Sequence, residues 1–229
     1  YTTLFRSFPI SKEFIVSNPF ITSMLKDRVI LCGEMKTGKT SIARAMQGLE
    51  FQDFLRSTHI SSYFSFDSQS LDESKFQINV WDVGGDPVMR NLAEIYFCNI
   101  DIAIIVIEID KYSTFENLPY WINLIKHKNP DTCSRIMIVA NKIDLSDEEK
   151  KIDEEKIKEF ASKNNYNLVF TSSKSGDGIS ELKTQITKEL ISIHEECMKK
   201  VHEYAKDIDN NDDFYDYMNT DENTCCILE

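Results

Sequence analysis

No run of eighteen apolar residues occurs in this chain, so no stretch of it reads as a membrane-spanning helix. Basic charge is scarce as well: 26 Lys and Arg stand against 38 Asp and Glu, a net charge of -12. Nucleic-acid binding needs a basic face, and this balance argues against it. The first residues have neither the basic start nor the unbroken apolar stretch of a secretory signal. The chain begins at Tyr1 rather than Met, which leaves the true N-terminus open. Six cysteines lie scattered without pairing spacing, which reads as reduced thiols of an intracellular protein.

What is present is ordinary for a globular protein. Hydrophobic residues make up 41% of 229, enough for one buried core. That length has room for one α/β domain of about 170 residues, with ends left over. Residues 1–26 hold Pro9, Pro19 and four phenylalanines, and read as an N-terminal extension that is packed on the domain or loosely ordered, or else as a partner-binding peptide. Val29–Cys32 is a short apolar run ending at Gly33, the signature of a buried parallel strand feeding a loop. A helix is expected over 39–48. Tyr63–Phe66 and Phe76–Trp81 flank a polar turn and read as an antiparallel hairpin. Ile100–Ile109 is almost wholly apolar and β-branched, a strand buried on both faces; 136–140 and 168–170 are two more. Helices are expected near 88–97, 113–127 and 153–164, and a last one from Gly178 to about 205. Strands alternating with helices imply a mostly parallel sheet, with one antiparallel edge strand and helices on both faces. The α/β domain is thus placed at 27–205. Residues 206–229 carry eight acidic groups against one lysine, a local charge of -7, and read as a disordered tail.

Four short stretches carry the chemistry. Gly33-Glu34-Met35-Lys36-Thr37-Gly38-Lys39-Thr40 fits G-x-x-x-x-G-K-[ST] and follows an expected strand. Glycines at 33 and 38 let the backbone curl so that successive N–H groups point at phosphate oxygens. The helix beginning near Lys39, with Ser41 in its first turn, adds its positive dipole end. Lys39 is placed to reach the β- and γ-phosphates and Thr40 to ligate Mg²⁺. In Trp81-Asp82-Val83-Gly84-Gly85, Asp82 sits where a strand-end carboxylate holds the metal through water, and Gly85 offers a backbone N–H to a γ-phosphate. Asn141-Lys142-Ile143-Asp144 follows another strand. A carboxylate at 144 accepts bonds from guanine N1–H and its exocyclic amine, a pair of donors that adenine lacks. Asn141 can bond the base and tie its loop to the phosphate loop, while the Lys142 stem can pack on the purine. Ser172-Ser173-Lys174 closes the pocket with N–H groups directed at guanine O6. Taken singly, each stretch has a bland reading as a turn, a cap or a loop. In this order they make a guanine-nucleotide switch, and the last two separate it from an ATPase.

The arrangement resembles the Ras superfamily of small GTPases over residues 27–205, and the Rab family in particular. Phe51, twelve residues after Lys39, matches the aromatic that stacks on guanine, and Thr58, nineteen after it, matches the threonine that ligates Mg²⁺ in the GTP state. Rab-like echoes also appear at Lys75-Phe76-Gln77-Ile78, Tyr96-Phe97 and Ser113-Thr114-Phe115-Glu116-Asn117-Leu118. Cys225 and Cys226, near the C-terminus, resemble a double-geranylgeranylation signal. The resemblance implies slow GTP hydrolysis by a monomer, with Lys39 and position 86 as candidate catalytic residues. Its implied partners are effectors, an exchange factor, a GTPase-activating protein and a prenyl-binding chaperone. It also implies residence on the cytoplasmic face of an endomembrane or the plasma membrane, with a cytosolic pool.

The departures keep rivals open. Asp86 stands where active members carry Gln, and Met35 and Lys36 replace small glycines. Switch I, Ser57-Thr58-His59-Ile60-Ser61, lacks the usual Ile-Gly after Thr. Trp-Asp-Val-Gly-Gly is an Arf-like or Gα-like spelling. A GTP-locked or non-hydrolysing scaffold, and an Arf-like GTPase, therefore stand beside the Rab-like reading.

Overall fold

A computed structural model of the chain describes residues 27–69, 75–88, 90–130 and 134–208. The expectations for the N-terminal extension, for the tail from 209 onward and for Cys225 and Cys226 lie outside the described residues. Residues 27–191 form one compact unit, and the part of the last helix from Ser192 onward belongs to a second one.

Among the described residues, six strands make one sheet: β1 (Arg28–Cys32), β2 (Ser61–Gln69), β3 (Lys75–Val83), β4 (Ile102–Glu108), β5 (Arg135–Asn141) and β6 (Asn167–Thr171). Their order is β2-β3-β1-β4-β5-β6. All neighbouring pairs are parallel except β2 with β3, so the antiparallel strand is the edge strand, as expected. Every residue of β4 is buried. Its β-branched Ile and Val are stiff at χ1 and suit a strand covered on both faces.

The helices are α1 (Lys39–Met46), α2 (Arg90–Ala93), α3 (Tyr112–Glu116), α4 (Leu118–Lys128), α5 (Glu154–Lys163) and α6 (Ile179–Ile208). On one face of the sheet, Ile30, Ala103, Ile105, Ile107 and Ile138 pack with Trp121 and Ile125 of α4 and Ile157 of α5. Strand alternation turns Val29, Leu31, Ile104 and Val139 to the other face, where α1 and α6 bury Ile42, Met46, Leu182 and Ile186. There Lys183 Nζ donates to the Met46 carbonyl at 3.2 Å, and the Ser68 and Thr187 hydroxyls meet at 2.6 Å.

Two expected helices differ. The span 88–97 is one α-helical turn at Arg90–Ala93 followed by a 3-10 turn at Glu94–Phe97. The span 113–127 is broken at Asn117, which ends α3 and begins α4 with a proline in its first turn. Proline is welcome there because the first-turn N–H it lacks has no helical acceptor anyway. At α5 the side chain of Asp153 accepts the Glu155 N–H at 3.0 Å, with Glu154 and Glu155 beside the positive helix end.

Candidate functional site

Gly33 follows β1, Asp82 lies at the end of β3, Asn141 ends β5, and Thr171 and Ser172 close β6. All therefore gather at the carboxyl edge of a parallel sheet, where open α/β folds hold their ligands.

At the phosphate end, Gly38 caps α1 in the left-handed region at φ 92, and a Cβ there would collide with the Asn141 side-chain amide. Only glycine fits that position. Lys39 is 6% exposed, and its ammonium donates to the carbonyls of Gly33 at 3.0 Å and Glu34 at 2.7 Å. An ammonium has three donors, so one remains beyond these two carbonyls. Burial pushes the Lys39 pKa down, and the charge of Asp82 chief among its neighbours pulls back. An anion at this end would relieve the same strain on the cation. Thr37 Oγ1 folds onto the Glu34 carbonyl at 3.0 Å, and Ser41 lies half-buried in the first turn of α1. Met35 and Lys36 stand exposed, with Lys36 in the left-handed region at φ 71.

Asp82 is buried beside this loop. Its Oδ2 accepts the hydroxyls of Thr40 at 2.6 Å, Thr58 at 3.1 Å and Ser62 at 3.4 Å, while its Oδ1 is buried with no hydrogen-bond partner among the described residues. Burial raises the Asp82 pKa, and the Thr40 hydroxyl, the Lys39 charge, then Thr58 and Ser62 work against that rise. Hard oxygen donors around an orphaned buried carboxylate oxygen fit a magnesium ion.

The segments expected to form switch I (about 55–63) and switch II (about 83–97) meet here. The Gly84 N–H donates to the Ile60 carbonyl at 2.7 Å. Gly85 lies against the backbone of Gly33, Glu34 and Met35 so closely that a Cβ would strike it. Asp86, half-buried, accepts the Val88 N–H at 2.9 Å. It thus braces a turn, whereas the helix expected near 88–97 starts at Arg90.

At the base end, Asn141 is wholly buried and joins three segments. Its amide donates to the Thr37 carbonyl at 2.9 Å, and its Oδ1 accepts Thr171 Oγ1 and the Ser173 N–H, each at 3.2 Å. Ser172 Oγ donates to Asp144 at 2.6 Å and accepts the N–H groups of Lys174 and Ser175 at 3.2 and 3.1 Å. The N–H groups expected to face guanine O6 thus already have acceptors within the protein: the Asp177 carbonyl for Ser172, Asn141 Oδ1 for Ser173 and Ser172 Oγ for Lys174. Asp144 is exposed. Phe51 is 38% exposed, between α1 and Thr58. Lys142 sends its ammonium to Glu108 and Asp110 at the end of β4.

Sequence reasoning missed Ser62, Thr171, Glu108 and Asp110. Ser62 and Thr171 carry no signal in one sequence. Glu108 does: it is a charge at the end of an otherwise aliphatic buried strand.

A family model described as the Ras family matches residues 28–192. The "Ras-related protein Rab-5B" of Plasmodium falciparum is 28% identical over 173 residues, 76% of this chain and 82% of that protein. The "Putative ras-related protein Rab-5B" of Dictyostelium discoideum is 32% identical over 166 residues, covering 72% and 75%. The "GTP-binding protein ypt5" of Schizosaccharomyces pombe is 27% identical over 167 residues, covering 72% and 78%. The match spans every segment of the site just described, from the strand before Gly33 to the helix after Lys174, and on it this chain belongs to the Ras family, as a divergent Rab-like GTPase.

Proposed function

We propose that this chain is a guanine-nucleotide switch of membrane trafficking that binds GDP and Mg·GTP, hydrolyses GTP slowly and recruits effectors when GTP-bound. The observation that carries this reading is the meeting of Thr40, Thr58 and Asp82 beside the phosphate loop, joined through Asn141 to the base loops. Thr40, Thr58 and, through water, Asp82 would hold Mg²⁺. The ion would neutralise charge on the β- and γ-phosphate oxygens. Lys39 and the N–H groups of residues 33–40 bind the phosphates, and Asp144, Lys142 and Phe51 take the base. Gly85 reports the γ-phosphate to switch II, and the bond from Gly84 to the Ile60 carbonyl couples that report to switch I.

Effector recruitment is supported by apolar side chains that stand exposed along both switches: Ile60, Tyr63, Leu92 and Ile95. Tyr63 packs edge-on to Trp81 at 5.2 Å between centroids. Aromatic surface of this kind is typical of protein interfaces. An exchange factor, a GTPase-activating protein and a prenyl-binding chaperone would complete the cycle of a monomer. Membrane attachment is assigned to thioethers at Cys225 and Cys226, on their resemblance to a double-geranylgeranylation signal.

A GTP-locked scaffold is the second reading, favoured by one observation: the carboxylate of Asp86, which stands where the resemblance expects a water-orienting glutamine, is engaged by the Val88 N–H. Bound-nucleotide content of the purified chain, followed by single-turnover hydrolysis, separates the two. Mostly GDP supports a turning-over switch, and mostly GTP a locked one. Calorimetry that finds no preference for GDP over ADP would sink both.

A further inference from the structure

Glu108 is a buried carboxylate for which nucleotide chemistry has no evident use. It ends β4 and is 3% exposed. Such a charge is costly to bury unless it is paired. Its partner is Lys142, whose ammonium makes a close ion pair with Glu108 and lies 3.3 Å from both Asp110 carboxylate oxygens. Lys111 adds a longer contact at 3.9 Å. Burial alone would push the Lys142 pKa down; the bond and charge of Glu108, joined by Asp110, more than reverse this and hold it up.

The backbone around the pair is fixed on both sides. The buried Thr114 hydroxyl accepts the Glu108 N–H and bonds the Glu108 and Lys111 carbonyls at 3.2 and 2.8 Å. The Ile109 N–H donates to the Asn141 carbonyl at 3.2 Å. Lys142 itself sits in the left-handed region at φ 72, a conformation that a lysine adopts only under constraint. Without its anchor the turn carrying Asn141 and Asp144 loses the contact that opposes this strain.

We propose that Glu108, assisted by Asp110, is a positioning residue for nucleotide recognition: it grips the Lys142 ammonium and thereby fixes the left-handed turn that presents Asn141 and Asp144 to the base. This rests on the reading of residues 141–144 as the guanine loop. Dissociation of fluorescent GDP and fluorescent inosine diphosphate from the full-length, magnesium-loaded protein tests it. The inosine base lacks the exocyclic amine that Asp144 is placed to accept. Parent, E108Q, K142M and the double variant are compared. Glu108→Gln keeps the side-chain shape, and it should release GDP about tenfold faster, the effect of one charge-assisted hydrogen bond. The preference for GDP over inosine diphosphate should narrow as the turn loosens. The double variant should release GDP no faster than K142M, because Glu108 acts only through Lys142. Should K142M leave Glu108 unpaired and fail to fold, E108Q against parent still decides. An unchanged GDP-to-inosine ratio in E108Q overturns the proposal, as does additivity in the double variant, whatever either does to thermal stability. A parent protein that binds no guanine nucleotide is a different failure, since the guanine reading itself then falls.

Discussion

The hydroxyl oxygens of Thr40 and Thr58 stand 2.9 Å apart, although one belongs to the phosphate loop's helix and the other to switch I. Both also lie within hydrogen-bond reach of Asp82 Oδ2, at 2.6 and 3.1 Å. Each hydroxyl has one proton, and when both serve the carboxylate, both oxygens are left as acceptors. A divalent cation satisfies such a group of oxygens. Thr40→Ala should therefore weaken GDP and a non-hydrolysable GTP analogue alike, by about tenfold. Thr58→Ala should weaken only the GTP analogue, and excess EDTA should erase the difference. Equal losses for both nucleotides in Thr58→Ala would remove switch I from the metal site.

Asp144 makes a second, separable prediction. It receives the Ser172 hydroxyl at 2.6 Å and has a further oxygen to offer the base. Asp144→Asn puts an NH₂ where guanine presents N1–H and amine donors, so guanine preference should fall while phosphate binding persists. Competition between GDP and xanthosine diphosphate measures this. Full retention of discrimination would discredit the assignment of Asp144 to the base.

Cys32 should be chemically silent in the native protein. Burial pushes its thiol up to about 12 from an ordinary 9.0, with Lys39 only partly opposing. The thiolate is the reactive form, so iodoacetamide at pH 8 should spare the Cys32 peptide and label it in urea, as read by mass spectrometry. The sign of the linkage follows. Below 9.0 the thiol is neutral folded or unfolded, and its stabilising contribution is fully present. Between 9.0 and about 12 only the unfolded chain ionises, so that contribution is lost as pH rises.

Membrane attachment should depend on both terminal cysteines. A tail charge of -7 offers no attraction to anionic headgroups and weakly opposes binding. One lipid chain then anchors only marginally, and two are needed. The variant Cys225→Ser, Cys226→Ser should move to the soluble fraction of a cell lysate. A double variant that stays with membranes would overturn the lipidation assignment.

The legible parts of this molecule are those whose chemistry demands contiguous residues. A phosphate cradle needs glycines and a lysine at set spacing, so residues 33–40 announce it. Asn141–Asp144 and Ser172–Lys174 are similar, each a loop closing a strand. β4 was legible because a strand buried on both faces must be aliphatic throughout. What stayed hidden depends on residues brought together from afar. Ser62 joins Asp82 only because β2 and β3 pair in that register, and Glu108 meets Lys142 across two neighbouring strands. The break at Asn117 was missed because α3 and α4 share one helical pattern, although Pro119, which suits only a helix's first turn, marks the boundary.

Asp86 carries the sharpest consequence. A glutamine there orients the attacking water with its carbonyl and donates from its amide toward the transition state. A carboxylate has no donor, is one carbon shorter and brings negative charge toward an anionic γ-phosphate. The structure gives Asp86 other work: its Oδ1 accepts the Val88 N–H at 2.9 Å, holding the turn that opens switch II. That bond costs nothing in catalysis only if the carboxylate was never needed there. The chain should hydrolyse GTP unaided no faster than Ras does, about 3–5 × 10⁻⁴ s⁻¹. An activating protein would have to supply both an arginine and a water-orienting group. Asp86→Gln restores the donor while giving up the turn bond, and single-turnover hydrolysis should rise about tenfold, as one transition-state hydrogen bond implies. The same variant should lose order at residues 86–88, visible as faster amide exchange at Val88. A parent rate that equals or exceeds that of the glutamine variant would show that Asp86 serves the turn without impairing the chemistry.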